Sequence, residues 1–254
     1  MRVKYTGAAC QDAGNRNNED TYLVREFKGS DRRIFFYAVA DGVGGLGNGD
    51  LASGFIIDQL SSWFDAKKEW LGQNLSSSDI TMSLYDVIID IHNALKLICQ
   101  KKEISCASTL TCAMILKDEY IILQVGDSRA YLYENSVCRQ LTKDQTRAQQ
   151  ERDKGTSETL ITPKMERTVL QSVGVGKIRP EVFTGKLQVE FQMILCSDGL
   201  SNLLGEKDFA LCCSRKDLLG EEKLQEMIQL ARNRGEKDNI TGIHLERCRA
   251  EEVH

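Results

Sequence analysis

The sequence predicts an α+β fold built of antiparallel β-sheets covered by helices. Three observations carry that expectation. Short β-rich segments recur along the chain, several are joined by tight polar turns, and the helical stretches fall in blocks instead of alternating strictly with strands as a doubly wound parallel sheet requires. At 254 residues, such an architecture is expected to form a single domain.

The elements follow in order. TYLVRE and RIFFYAVAD, before and up to Asp41, have the β-branched and aromatic character of strands. Ala52, Ile56, Leu60 and Trp63 then form one apolar stripe at helical spacing. SSSD, ending at Asp79, supplies N-caps for a longer helix striped by Ile80, Leu84, Val87, Ile91, Leu95 and Ile98. TLTCAMIL, YIILQVGD and RAYLYE read as strands, with KDE and ENS as turns. Residues 142–163 are polar with little periodicity, so they read either as a functional flap or as a solvated surface helix. FQMILCSDG reads as a strand, a third helix carries Leu224, Met227, Ile228 and Ala231 and ends near Gly235, and NITGIHLER is the last strand.

Composition narrows the function classes. Hydrophobic residues make up 41% and charged residues 28%, and no apolar run approaches the roughly 18 residues that span a bilayer. The opening residues lack the apolar core of a signal peptide, so a cytoplasmic location is expected. A net charge of -4 without a basic cluster argues against nucleic acid or an anionic membrane as partner. The nine cysteines include no CxxC pair and lie mostly in apolar runs, where reduced cysteine acts as a small hydrophobe; the adjacent Cys212 and Cys213 are the candidates for redox sensitivity.

The acidic residues are distributed with more pattern. Asp41 follows FFYAVA, Asp127 follows IILQVG, Asp198 follows QMILCS, Asp238 precedes NITGIHL, and Glu19 and Asp20 precede TYLVRE. Any one of these could be a turn residue. Together they place carboxylates at strand mouths, where mutual repulsion and desolvation call for cations. Oxygen ligands suit Mg²⁺ or Mn²⁺, and only three histidines are present, which disfavours a histidine-rich zinc or iron centre.

RNNED at 16–20, ADGVGG at 40–45, GDSRAYL at 126–132, CSDGL at 196–200 and EKDNIT at 236–241 resemble, in order, the motifs of the type 2C (PPM) metal-dependent protein serine/threonine phosphatases of the compact bacterial kind. GNGDLAS at 47–53 and ERTVLQSVG at 166–174 resemble further family segments. The resemblance implies two stacked antiparallel sheets flanked by helices on both faces, with two Mn²⁺ or Mg²⁺ ions at one end. It implies that Asp41 bridges both ions, that the Gly42 carbonyl completes one, that Asp198 and Asp238 hold the other, and that Glu19 and Asp20 act through bound waters. Arg16 is the implied phosphate clamp, so Arg16, Glu19 and Asp20 form the expected catalytic set. Phosphoserine and phosphothreonine proteins, opposed to a serine/threonine kinase, are the implied substrates, attacked by a hydroxide held between the metals.

Three departures shape these expectations. Arg16 stands one residue nearer NED than the family usually spaces its arginine, so its clamp role requires a locally altered turn, the alternative being a solvated surface arginine. Val43 stands where many eukaryotic members place a histidine, so protonation of the leaving group falls to water or another donor. Asn202 stands where some members carry aspartate, so a third metal at Asp127 and Asp198 is expected to be weak. A non-catalytic, phosphoprotein-binding member would be expected to lack one of Asp41, Asp198 and Asp238, and a two-metal nuclease would need a basic track. Gly44 and Gly45 are expected to permit a sharp exit after Asp41.

Overall fold

A computed structural model describes residues 3–14, 17–29 and 32–249. One sheet has the order β1-β10-β9-β6-β7, formed by β1 (Val3–Asp12), β6 (Arg129–Glu134), β7 (Val137–Gln140), β9 (Phe191–Cys196) and β10 (Ile240–Arg249). The other has the order β2-β3-β4-β5-β8, formed by β2 (Asp20–Lys28), β3 (Arg33–Asp41), β4 (Leu110–Leu116), β5 (Glu119–Val125) and β8 (Glu181–Lys186). All strand pairings are antiparallel. Helices α1 (Gly49–Leu71) and α2 (Ser77–Lys102) cover the second sheet, and α5 (Asp198–Ser201), α6 (Glu206–Cys213) and α7 (Gly220–Asn233) cover the first.

The period-2 alternation of the central strands sorts their side chains into layers. Ile34, Phe36, Ala38 and Ala40 of β3 pack under α1 and α2, whereas Phe35, Tyr37 and Val39 enter the space between the sheets. Met193 and Leu195 of β9 meet them there, while Ile194 and Cys196 face α6 and α7. Burying each such large side chain contributes ~2 kcal/mol. The helices therefore hold the sheets by area, and the register of β3 follows from it, since a one-residue slip would exchange its two apolar faces.

Helix ends match their sequence signals. Ser76 and Asp79 form a reciprocal capping box at α2, and Gly235, with φ of 99°, ends the α7 region. The buried stripe of α2 runs through Ile80, Leu84, Ile88, Ile91, Leu95 and Cys99, so Ile88 and Cys99 take the central places that the sequence assigned to Val87 and Ile98. In α1, Phe64 is fully buried and Trp63 packs beside it. Both shifts have one cause: a stripe at 3.6-residue period drifts, and the sheet surface selects which neighbour points inward.

β1, β7 and β8 have no counterpart in the sequence reading. All three are sheet edges. An edge strand is satisfied on one side alone, so it can be short and polar, as the alternately exposed EVFTGK of β8 illustrates. Residues 142–163 contain α3 (Arg147–Asp153) and a 3-10 turn at Glu158–Leu160, and α4 (Pro163–Glu166) follows.

The cysteine expectation needs correction at one place. Cys99 and Cys106 are disulfide-bonded across the exit of α2, while seven cysteines are free. Sequence reading missed the pair because their spacing matches no motif; the turn after α2 is what brings them together. Burial raises the thiol pKa of Cys212 and Cys213 alike.

Candidate active site

The strand mouths gather at one end of the sandwich. Asp41, the last residue of β3, lies directly across from Asp20, the first residue of β2. Asp127 follows β5 in its turn to β6, Asp198 opens α5 just after β9, and Asp238 leads into β10. The cluster is graded, from buried Asp20 and Asp127, through half-buried Asp41 and Asp198, to exposed Asp238.

Main-chain bonds fix Asp41. Its N–H donates to Thr109 Oγ1 at 3.1 Å, and its carbonyl accepts from the Thr109 N–H at 2.8 Å. Gly42 N–H donates to the Glu19 carbonyl at 3.1 Å, and Val43 N–H donates to the Ala107 carbonyl at 2.9 Å. A Cβ on Gly42 would overlap the backbone of Gly49, the first residue of α1, so glycine here serves close backbone packing. At Gly44 a Cβ would strike the Glu19 carboxylate, whereas Gly45 is open and has an ordinary φ. The expected role of Gly45 in a sharp exit is therefore not seen; Gly47, with φ of 81°, is the residue in this run whose backbone angle calls for glycine.

Glu19 is wedged between Gly44 and Gly49, with the Gly49 N–H donating to its Oε1 at 3.3 Å. Asp20 accepts from the Ser197 hydroxyl at 2.8 Å, and that oxygen in turn accepts from the Thr241 N–H at 3.0 Å. Asp198 accepts from Asn202 Nδ2 at 3.2 Å. The Asp238 carbonyl accepts from Arg232 Nη1 at 2.7 Å, and Arg232 also pairs with Asp12, clamping this loop to the end of β1. Arg16 lies outside the described residues.

The electrostatics follow from crowding. Burial first, and then the carboxylates of Asp20, Asp198, Asp127 and Asp238, push Asp41 well above the usual carboxylate range. Burial raises Asp127 to about 8, with Asp198 and Asp144 adding and Arg129 opposing. Burial likewise lifts Asp20 to about 6 against the hydrogen bonds from Thr241 and Ser197. Asp198 is raised by burial and by Asp238, and lowered by its bonds to Asn202 and Asp41. Such a cluster at neutral pH favours hard cations. Among the described residues no group of three or more acidic, histidine or cysteine side chains is arranged to hold a metal ion. The donors fit oxygen-seeking divalent ions in type and charge.

Sequence reasoning missed the groups behind the carboxylates. Ser197 and Thr241 hold Asp20, and Thr109, bonded to Ser128 at 2.7 Å, holds Asp41. Asn239 accepts the Glu19 N–H at 2.9 Å and donates to the Ala13 carbonyl at 3.2 Å, tying both ends of the loop between β1 and β2 to β10. Ser197, Asn239 and Thr241 sit in or beside the motifs that point to Asp198 and Asp238, but only the tertiary contacts show their roles. The 142–163 segment is anchored here too: Arg129 pairs with Asp144 at 2.5 Å and donates to the Ser201 carbonyl at 3.1 Å, and Gln145 Oε1 accepts from the Gly126 N–H at 2.8 Å.

Comparison with known proteins places this arrangement in a family. Residues 5–238 match the family described as Protein phosphatase 2C. The chain is 32% identical over 236 residues to the serine/threonine phosphatase stp of Listeria innocua, covering 91% of this chain and 90% of that protein. It is 26% identical over 243 residues to the serine/threonine protein phosphatase PstP of Mycobacterium tuberculosis, covering 95% of this chain and 44% of that one. Among solved structures, Stp1 of Staphylococcus aureus superposes with a TM-score of 0.84 at 24% identity, over 97% of this chain and 96% of that one. The catalytic domain of PstP in complex with two manganese ions superposes with a TM-score of 0.77 at 24% identity, over 98% of this chain and all of that one. The family match along most of the chain, the stp relative and the shared fold agree with the strand-mouth carboxylates: this chain belongs to the protein phosphatase 2C family and is a protein serine/threonine phosphatase.

Proposed function

We propose that hydrolysis of phosphoserine and phosphothreonine by this protein depends on two Mn²⁺ or Mg²⁺ ions held at the strand mouths. The observation that carries the proposal is the convergence of Asp20, Asp127, Asp198 and Asp238 on the field at Asp41, a concentration of like charge that cations relieve. Asp41 and the Gly42 carbonyl would hold one ion, Asp41 with Asp198 and Asp238 the other, and Glu19 and Asp20 would act through water. The PstP domain named with two manganese ions supports that count. When bound, the ions supply Lewis acidity that activates water toward phosphorus and offset the negative charge that would repel a phosphate. Asp127 and Asp198 would form a weaker third site, since Asn202 contributes an amide in place of a charge.

The chain's own groups do the positioning. Thr109, Ser197 and Asn239 keep Asp41, Asp20 and Glu19 from relaxing away from one another. Arg16, between β1 and β2, is the proposed clamp on the phosphoryl oxygens, its planar fork matching two of them. Residues 142–163 are the proposed flap beside the substrate. The partners are phosphoproteins made by a serine/threonine kinase, and the proposed setting is the cytoplasm. The test is hydrolysis of a phosphothreonine peptide by protein stripped with EDTA, before and after Mn²⁺ is returned. Turnover should vanish and come back, and full turnover by the stripped protein would overturn the metal assignment.

A further inference from the structure

The disulfide between Cys99 and Cys106 joins two places whose connection matters for the site. Cys99 lies in the last turn of α2, and Cys106 begins the segment that leads into β4, with Cα atoms 6.5 Å apart. The next three residues carry the main-chain contacts of the catalytic strand end. Ala107 accepts from Val43, Ser108 bridges to Gly42 and exchanges hydrogen bonds of 3.1 and 2.8 Å with Val173, and Thr109 holds both backbone groups of Asp41. The Cys106 carbonyl also lies against Gly174, where a Cβ would crowd it and where φ is 104°. Cys106 is thus one residue from a three-residue splint along Asp41, Gly42 and Val43, and the disulfide fastens that splint to α2.

A cavity of about 410 Å³, bordered by Cys99, Cys106, Lys96, Glu103, Gly174 and Gly176, opens beside the pair. On this measure a water needs only about 10–15 Å³, so a small peroxide or thiol has room there. Cys99 retains 7% exposure and Cys106 none, which makes Cys99 the sulfur met first.

We propose that Cys99 and Cys106 form a reversible thiol–disulfide site whose oxidised form braces the Asp41 strand end and whose reduced form loosens it. In the forward direction a hydroperoxide oxidises the Cys99 thiolate to a sulfenic acid, its O–O bond breaking with release of water or an alcohol. The Cys106 thiol then displaces the sulfenic oxygen as water, so two thiols have lost two electrons and two protons. A dithiol reductant reverses the change by exchange, returning two hydrogens and leaving as its own disulfide.

The experiment compares the full-length protein after dithiothreitol with the same protein after mild hydrogen peroxide. Lys101 and Lys102 lie between the cysteines, so trypsin should release two peptides joined by Cys99 and Cys106 only from the oxidised sample. Hydrogen exchange of metal-free protein should be faster in the reduced form at the amides of Val43, Ser108 and Thr109. This readout does not depend on the metal assignment, so it fails or succeeds apart from it. Turnover of a phosphothreonine peptide should be several-fold lower in the reduced form, and Cys99→Ala should behave as reduced under both treatments. The wild-type comparison stands alone if that variant does not fold. Absence of the linked peptides after peroxide, or equal exchange and turnover in the linked and reduced forms, overturns the proposal.

Discussion

Asp41 opposes the fold that positions it. Its burial and its neighbours penalise the ionised form, so a neutral isostere should remove a local cost while deleting a proposed charged ligand. Asp41→Asn and Asp198→Asn are therefore expected to leave the metal-free melting temperature equal to or above that of the wild type, yet to lower turnover by ~10² or more, as losses of preorganised charge do. Melting followed by circular dichroism and phosphopeptide kinetics at saturating Mn²⁺ check both halves. A folded Asp41→Asn protein with wild-type turnover would remove Asp41 from the chemistry. Gly42 makes the complementary point about space. Because a Cβ there overlaps Gly49 and the Glu19 carbonyl, Gly42→Ala should cost about 1–3 kcal/mol from overpacking and shift the Glu19 loop. Denaturant unfolding reads the cost, and an unchanged midpoint would show that α1 can retreat freely.

At the scale of elements, α7 meets β9 and β10 through a buried polar network. His244 Nε2 lies 2.9 Å from Gln192 Oε1, and Lys223 Nζ lies 3.2 Å from both Gln192 Oε1 and Glu246 Oε2. Burial, aided by the charge of Lys223, lowers the His244 pKa from 6.5 to about 3. The unfolded chain therefore takes up this proton first as the medium is acidified. The stabilising share of neutral His244 is complete above about 6.5 and is lost progressively as pH falls toward 3. The loss over that window is up to ~5 kcal/mol at the conversion of one pKa unit to 1.36 kcal/mol. The raised Asp20 and Asp127 change stability in the opposite direction over part of the same range, so the comparison must be differential. His244→Gln should show a shallower decline in urea stability between pH 6.5 and 4 than the wild type, and parallel curves would place the acid sensitivity elsewhere.

For the molecule as a whole, two sheets meet at the end where their carboxylates repel, and three apolar layers hold them there. Cations that bind only the folded state add RT ln(1 + [L]/Kd), about 2.7 kcal/mol at a hundredfold excess over Kd. Mn²⁺ should therefore raise the melting temperature of the stripped protein by several degrees, and EDTA should reverse it. Asp41→Asn should respond much less. A wild-type shift no larger than that of the variant would show that the ions bind elsewhere.

The layers were legible because β3, β4 and β9 are long apolar segments whose only stable position is between other elements, and because α2 and α7 repeat their apolar residues at helical period. Asp41, Asp127, Asp198 and Asp238 were legible for a related reason: each interrupts or borders an apolar run, where an acid is costly unless it has work. The edge strands β7 and β8 were hidden because one-sided pairing tolerates polar, short sequence. Which residue would sit behind each carboxylate was also beyond sequence reading. Ser197 and Asp20 are 177 positions apart and Glu19 and Asn239 are 220 apart, and a hydroxyl or amide announces no partner by type alone. The same holds for Cys99 and Cys106, joined by the turn after α2. The sequence by itself determined the layers and the acids at their rim, since local period and burial cost act within a few residues. Only the tertiary structure decided their mutual field and their supports, because those depend on distances that the chain sets when the two sheets close.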